Sequence, residues 1–179
     1  MLKFKSQIID RQGVERALYR ISCEIVEKNR GCNNLYLVGI CRRGVPLAQK
    51  LAKDIEKNEG YTIPCGELDI SLYRDDIIAE SPIINATHLP FDVTGKNIVL
   101  VDDVLYTGRT VRAAIDALIK LGRPATVQLA VLIDRGHREF PIRADYVGKN
   151  VPTSRSERIS VNFPPFDENI CVELFEEIK

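Results

Sequence analysis

The sequence predicts an α/β fold: a mostly parallel central sheet with helices on both faces, and a flexible loop or hairpin. Three observations lead there. The runs LYLVGI (35–40), IVLV (98–101) and VQLAVLI (127–133) are continuously apolar, as expected of strands buried on both faces. Helical patterns separate the strand-like runs, so that strand and helix alternate along the chain. Finally, 179 residues, 45% of them hydrophobic, suffice for one substantial core and not for two, so one domain spanning 1–179 is expected.

The elements follow in order. Asp10 can cap a helix whose apolar positions Val14, Leu18, Ile21 and Ile25 recur at helical spacing, with Gly31 as its stop. After LYLVGI, the segment CRRG (41–44) leads into a second helical pattern, Leu47, Leu51, Ala52 and Ile55, which ends before Gly60. GELDISLYRDD (66–76) reads as strand through Leu72, with Leu68, Ile70 and Leu72 on one face. Residues 77–97 hold two prolines, two asparagines and no sustained period, which suggests a long loop or loose hairpin of the kind that often forms a lid. Beyond the strand IVLV, positions Val111, Ala114, Ile115, Leu118 and Ile119 mark the apolar face of a helix that stops at Gly122, and VQLAVLI is the next strand. From Asp134 the chain is richer in turns and charge, with short strands expected at ADYVG (144–148) and RISVNF (158–163). CVELFEEI (171–178) fits an edge strand or a short helix, and its period does not decide.

Bulk properties narrow the function classes. The 25 basic and 25 acidic residues cancel, so overall charge points to neither nucleic acid nor membrane, and any basic patch has to be local. No apolar stretch approaches 18 residues, and MLKFKSQIID lacks the apolar segment and cleavage site of a secretory signal; a cytoplasmic protein is expected. Cys23, Cys32, Cys41, Cys65 and Cys171 are odd in number, widely spaced and without a C-x-x-C, and are read as reduced thiols.

The chemistry concentrates in IVLVDDVLYTGRT (98–110). In an open parallel sheet ligands bind at the carboxyl ends of strands, and Asp102 and Asp103 sit at such an end. Thr107, Gly108, Arg109 and Thr110 then form a turn and the start of a helix, where unpaired backbone N–H groups and the helix dipole attract a phosphate. One strand-turn-helix unit thus offers a phosphate seat and, a few ångströms away, carboxylates for hydroxyl groups: the outline of a phosphorylated sugar. The Walker nucleotide loop fails here, because Asp103 stands where its first glycine is required and Arg109 replaces its lysine.

IVLVDDVLYTGRT resembles the phosphoribosyl-pyrophosphate motif of type I phosphoribosyltransferases. With VGICRRG, DISLYRDD, DDVLYTGRTVRAAIDAL and LIDRGHREFPIRADYVGKNVPTS, the resemblance extends from about residue 10 to the end and narrows to the bacterial bifunctional pyrimidine-operon attenuators and uracil phosphoribosyltransferases. That resemblance implies transfer of ribose 5-phosphate from phosphoribosyl pyrophosphate to uracil, with Mg2+ carried mainly by the substrate. It makes Cys41, Arg42, Arg43 and Gly44 the pyrophosphate loop; without it, this segment reads as an ordinary solvated turn. Asp102 and Asp103 would accept bonds from the ribose hydroxyls, and Val104, Leu105, Tyr106, Thr107, Gly108, Arg109 and Thr110 would complete the substrate site. Tyr73, Arg74 and Asp75 would root a loop that closes over the reacting centre, although Arg74, Asp75 and Asp76 read equally well as a solvated charge run. The catalytic set is Arg42, Arg74, Asp102 and Asp103. Purine-type relatives carry a carboxylate where this chain has Tyr106, and a tyrosine, with a reference pKa of about 10, is a poor base near neutrality; a pyrimidine is favoured. The resemblance also implies a small C-terminal hood over the base, and by analogy of position makes Arg138, Arg143 and the backbone near Val161 candidates for reading or enclosing it. His88 and His137 are read as structural or surface residues. Cys41 adjoins two arginines and a helix start, conditions that can lower a thiol pKa, but is taken as a small loop residue.

The same resemblance implies a uridine-nucleotide sensor, responding to UMP or UTP, that binds pyrimidine-operon leader RNA and controls transcription termination, in a homodimer or higher homo-oligomer. Matching basic positions are Arg20, Lys28, Arg138, Arg143 and Lys149. Tyr19 and Cys23 depart from the family pattern, where threonine and histidine are familiar. An RNA-binding regulator with little or no enzyme activity is the alternative.

Overall fold

The computed structural model describes residues 1–74 and 87–178. Successive side chains of LYLVGI enter opposite cores: Leu35 and Leu37 join one buried cluster, while Tyr36, Val38 and Ile40 join the other. The same division separates Val99 and Val101 from Ile98 and Leu100. Continuous apolar runs are therefore needed, because neither face of the sheet meets solvent.

The elements run β1 (Leu2–Ile9), α1 (Arg11–Lys28), β2 (Leu35–Ile40), α2 (Gly44–Glu59), β3 (Cys65–Leu68), β4 (Asn97–Leu105), α3 (Arg109–Leu121), β5 (Thr126–Asp134), β6 (Tyr146–Asn150), β7 (Glu157–Asn162) and β8 (Cys171–Glu177). Five strands form a parallel sheet in the order β3-β2-β4-β5-β6. Helices α1 and α2 pack on the first cluster's face and α3 on the other. The second sheet, β1-β8-β7, is antiparallel and supplies the hood. Both expected architecture and expected helices are present.

Three boundaries differ from the sequence reading. Strand β3 stops at Leu68, and Leu72 is 67% exposed while Leu68 and Ile70 are buried. Asp69 is the cause: its Oδ1 accepts bonds from the Ser71 backbone N (2.9 Å) and hydroxyl (2.6 Å), folding the chain into a local turn that competes with extension. Helix α1 starts at the Asp10 cap, whose Oδ1 accepts from Gly13 N at 2.8 Å, but ends at Lys28, with Arg30 and Gly31 in left-handed conformations beyond it. Strand β4 continues past Val101 to Leu105 and carries both aspartates.

β1 was not anticipated. Its alternation of Lys3 and Lys5 with Leu2 and Phe4 is a strand signal, weakened because most of the strand is exposed. It pairs with β8 through two register shifts, and its lysines suit an edge position. β8 is consequently a strand, and the central one of its sheet. Of the expected loop at 77–97, residues 77–86 lie outside the described residues, as does Asp75. At its far end His88 exchanges two backbone hydrogen bonds with Glu67 of β3, at 2.8 and 2.9 Å.

Candidate active site

The loop after β2 is held by close backbone approach. Cys41 N donates to Leu68 O at 3.0 Å, which anchors the loop to β3. A Cβ at Gly44 would lie 2.2 Å from Val101 O, and one at Gly39 would lie 2.4 Å from Val45 Cα. These two glycines let the start of α2 lie directly on the end of β4, which brings Arg43 within electrostatic reach of Asp103. Arg43 donates to Val161 O and to the Asp167 carboxylate, so the loop is tied to the hood at the position expected to enclose the base. That hydrogen bond is also the main reason the Asp167 carboxyl is held below its usual range. Arg42 is exposed at the rim of a cleft of about 460 Å³ shared with Gln49, Glu67 and Phe166. Burial pushes the Cys41 thiol up to about 11, with Asp69 and Glu67 adding to it. The neighbouring arginine does not offset this, so Cys41 is a thiol at neutral pH.

Asp102 and Asp103 lie at the carboxyl end of β4. Asp102 is buried and Asp103 half-buried. Asp102 Oδ1 accepts from Asp103 N at 2.9 Å, and Asp103 Oδ1 from Val104 N at 2.7 Å, which fixes both side chains. Burial raises both carboxyls. Asp102 is raised well above the usual value, and the Asp103 charge beside it adds to the effect, against partial relief from Arg74. Two acids held this way in a dry cleft are suited to accept hydroxyl donors or to face a cation, either of which would favour their ionised form.

The turn after β4 forms the seat. Gly108, with φ +91°, reverses the chain in a left-handed conformation and begins α3. A cleft of about 310 Å³ is lined by residues 104–111 together with Arg74 and Glu139. The turn is braced from behind: Thr107 O accepts from Glu139 N and Phe140 N, and Arg138 donates to Tyr106 O at 2.8 Å. Arg109 binds Glu139 at 2.6 Å and stacks over Phe140. Leu105 is buried in the core, so it can face the site only through its backbone. Tyr73 O accepts from Arg112 of α3 at 3.1 Å, which places Arg74 against the cleft.

Other expected residues fall elsewhere. Arg138, proposed to read base or RNA, uses its guanidinium within the chain, on Asp134, Ile142 O and Tyr106 O. Arg20 of α1 donates to Gly148 O at 2.6 Å and shares a groove with Arg16 and Lys149. Lys28 pairs with Asp145 and lies over the Tyr146 ring. Arg143 is exposed, with no ion pair or hydrogen bond among the described residues. Arg20, Lys28 and Lys149 thus share the α1–β6 face, whereas Arg138 belongs to the cleft. Tyr19 faces a different groove, beside Lys50 and Lys57 of α2.

Sequence reasoning missed Arg135 and Asp167. Arg135 directly follows β5, so the rule that singled out Asp102 at a strand's carboxyl end was also available for it. Asp167 sits in a turn whose sequence has no signature.

Raised carboxyl pKa values have a stability consequence. Unfolded, Asp102 titrates near 3.8, whereas the folded protein retains its proton to higher pH. Its contribution is therefore fully present below about pH 3.8 and is lost as pH rises towards the folded value. Asp102→Asn is expected to melt higher than the wild type at pH 7.5, by about 2 to 4 °C for each kcal/mol relieved. The difference should shrink as pH falls towards 4. Thermal melts at four pH values check this; a variant melting below the wild type at pH 7.5 would contradict it.

The Phosphoribosyl transferase domain model matches residues 5–164. The chain is 59% identical to the bifunctional protein PyrR of Pelotomaculum thermopropionicum, over 98% of each chain. It is 52% identical to the Bacillus subtilis protein of that name, over 96% of this chain and 97% of the other. Among solved structures, a hypoxanthine-guanine phosphoribosyltransferase from Bacillus anthracis superposes with a TM-score of 0.74 at 16% identity, covering 98% of this chain and 99% of that one, a likeness of fold alone. By these matches the chain belongs to the phosphoribosyltransferase family and, within it, to the PyrR bifunctional proteins.

Proposed function

We propose that the protein transfers ribose 5-phosphate from phosphoribosyl pyrophosphate to uracil, yielding UMP and pyrophosphate, and that it also regulates pyrimidine-operon leader RNA in response to uridine nucleotides. The observation that carries the catalytic reading is the buried aspartate pair immediately before a glycine turn at a helix N-terminus. In this reading the backbone of residues 106–110 holds the 5-phosphate, and Asp102 and Asp103 accept the ribose 2- and 3-hydroxyls. Arg42 at the loop and Arg74 at the cleft offer positive charge to the departing pyrophosphate, the place where negative charge grows. The C1–oxygen bond breaks with its electron pair leaving on pyrophosphate, uracil N1 bonds to C1, and the N1 proton is given up. Mg2+ would be carried in mainly by phosphoribosyl pyrophosphate and would screen its negative charge, with Asp102 and Asp103 suited to a supporting role.

Tyr106 supports a pyrimidine. Its ring stands in the cleft wall where a proton-accepting carboxylate would serve a purine. Uracil should be converted at least about tenfold more efficiently than hypoxanthine or guanine, since fitting one ring and excluding two is worth a few kcal/mol. Rates of nucleotide formation on each base test this, and comparable rates with a purine would sink the assignment.

The regulatory reading rests on the basic α1–β6 face and on the relatives' bifunctional name. If leader RNA lies there and also reaches the exposed Arg143, which precedes β6, Arg143→Ala should weaken binding and flatten its salt dependence by about 0.7 to 0.9 of a unit of slope. Wild-type binding no better than to an unrelated hairpin would remove this role. No described helix is long and apolar enough to cross a membrane, and a cytoplasmic homo-oligomer is proposed.

A further inference from the structure

Arg135 is 93% buried, although an arginine is seldom buried without a task. Its guanidinium carbon lies 3.9 Å from the centroid of the Tyr106 ring. The same side chain donates to Thr153 Oγ1 at 2.9 Å, Ser154 O at 3.2 Å and Glu157 O at 2.8 Å, all in the segment entering the hood. Its backbone N donates to Leu105 O at 3.0 Å, next to the phosphate turn. His137 repeats the connection: it meets the Tyr106 ring edge-on at 5.9 Å and bonds Thr153 O through Nε2. The hood segment is secured in turn by Glu157, which binds Lys5 of β1 and accepts from Ser154 N.

We propose that Arg135 is a positioning residue that fixes the Tyr106 ring and the hood segment 153–157 as one rigid wall, and so sets the width of the base pocket. Arg135 reaches no substrate atom; it acts through Tyr106 and the hood. A planar guanidinium suits this work, because one face stacks on an aromatic ring while its edge donates in the same plane. The consequence is selective. The phosphate seat is built from backbone at 107–110 and should survive loss of Arg135, whereas the base wall should loosen. This inference rests on the phosphoribosyltransferase reading but is tested by binding, independently of turnover.

The experiment compares binding of UMP, which occupies seat and wall, with ribose 5-phosphate, which occupies the seat alone. Arg135→Met should weaken UMP by about tenfold, which lies between the sizes of an exposed and a desolvated cation–π contact. Ribose 5-phosphate should stay within about twofold. Tyr106→Leu should weaken UMP similarly, and Arg135→Met with Tyr106→Leu should be no worse than the stronger single change. Arg135→Lys should fall between wild type and Arg135→Met. If Arg135→Met fails to fold, Arg135→Lys and Thr153→Val are read by the same comparison. Equal weakening of both ligands, additive effects in the double variant, or wild-type UMP binding no tighter than ribose 5-phosphate would each overturn the proposal.

Discussion

Replacing Gly44 by alanine is expected to lower kcat/KM for UMP formation by at least about a hundredfold, the cost of displacing a positioning loop by roughly 1 Å. The added Cβ would lie 2.2 Å from Val101 O and 3.3 Å from Asp102 Cα, so backbone must move, there being no flexible side chain to yield. Either the start of α2 lifts, carrying Arg42 and Arg43 away, or β4 shifts and turns Asp102. Overpacking of this kind also costs about 1 to 3 kcal/mol of stability. Steady-state rates and thermal melts, measured on the same preparation, separate the two effects. Wild-type kcat/KM in a folded variant would mean that the close approach of loop to strand is not needed for catalysis.

Asp103→Asn is expected to fold normally and to lose roughly 10- to 150-fold in kcat/KM, the equivalent of about 1.5 to 3 kcal/mol for a charge-assisted hydrogen bond. Asparagine keeps the oxygen that accepts from Val104 N at 2.7 Å, so the side chain holds its place and only its charge is removed. The loss should appear in catalysis and not as a lower melting temperature, because burial disfavours the ionised carboxylate in the empty site and removing its charge relieves the fold. The gain in melting should be larger for Asp102→Asn, the deeper of the two acids and the one raised further. An unchanged kcat/KM would remove Asp103 from the site.

Sequence order alone carried the proposed phosphate seat. Asp102, Asp103 and residues 106–110 fall within one short stretch, and local rules of strand end, turn and helix N-terminus apply without knowing what packs nearby. The parallel sheet was legible for a similar reason: runs such as 35–40 must be apolar on both sides wherever two cores exist. Strand β1 escaped because an edge strand with one wet face and two register shifts has little periodic signal. Leu72 misled because alternation continues through DISLY although Asp69 ends the strand by a side-chain bond.

What tertiary structure decided is everything that depends on partners distant in sequence. Arg138 and Arg135 are both arginines in LIDRGHREF, and although Arg135 follows a strand end, no local rule says which of them is buried. The fold commits Arg138 to Tyr106 O, and buries Arg135 between the Tyr106 ring and residues 153–157. Likewise the pairing of Arg43 with Asp167 spans 124 positions and closes the loop onto the hood. The sequence by itself determined which residue types stand at the strand ends and hence the chemistry they offer. Which of them share a cleft depends on strand order and close packing, because burial and electrostatic partnership are properties of the assembled chain.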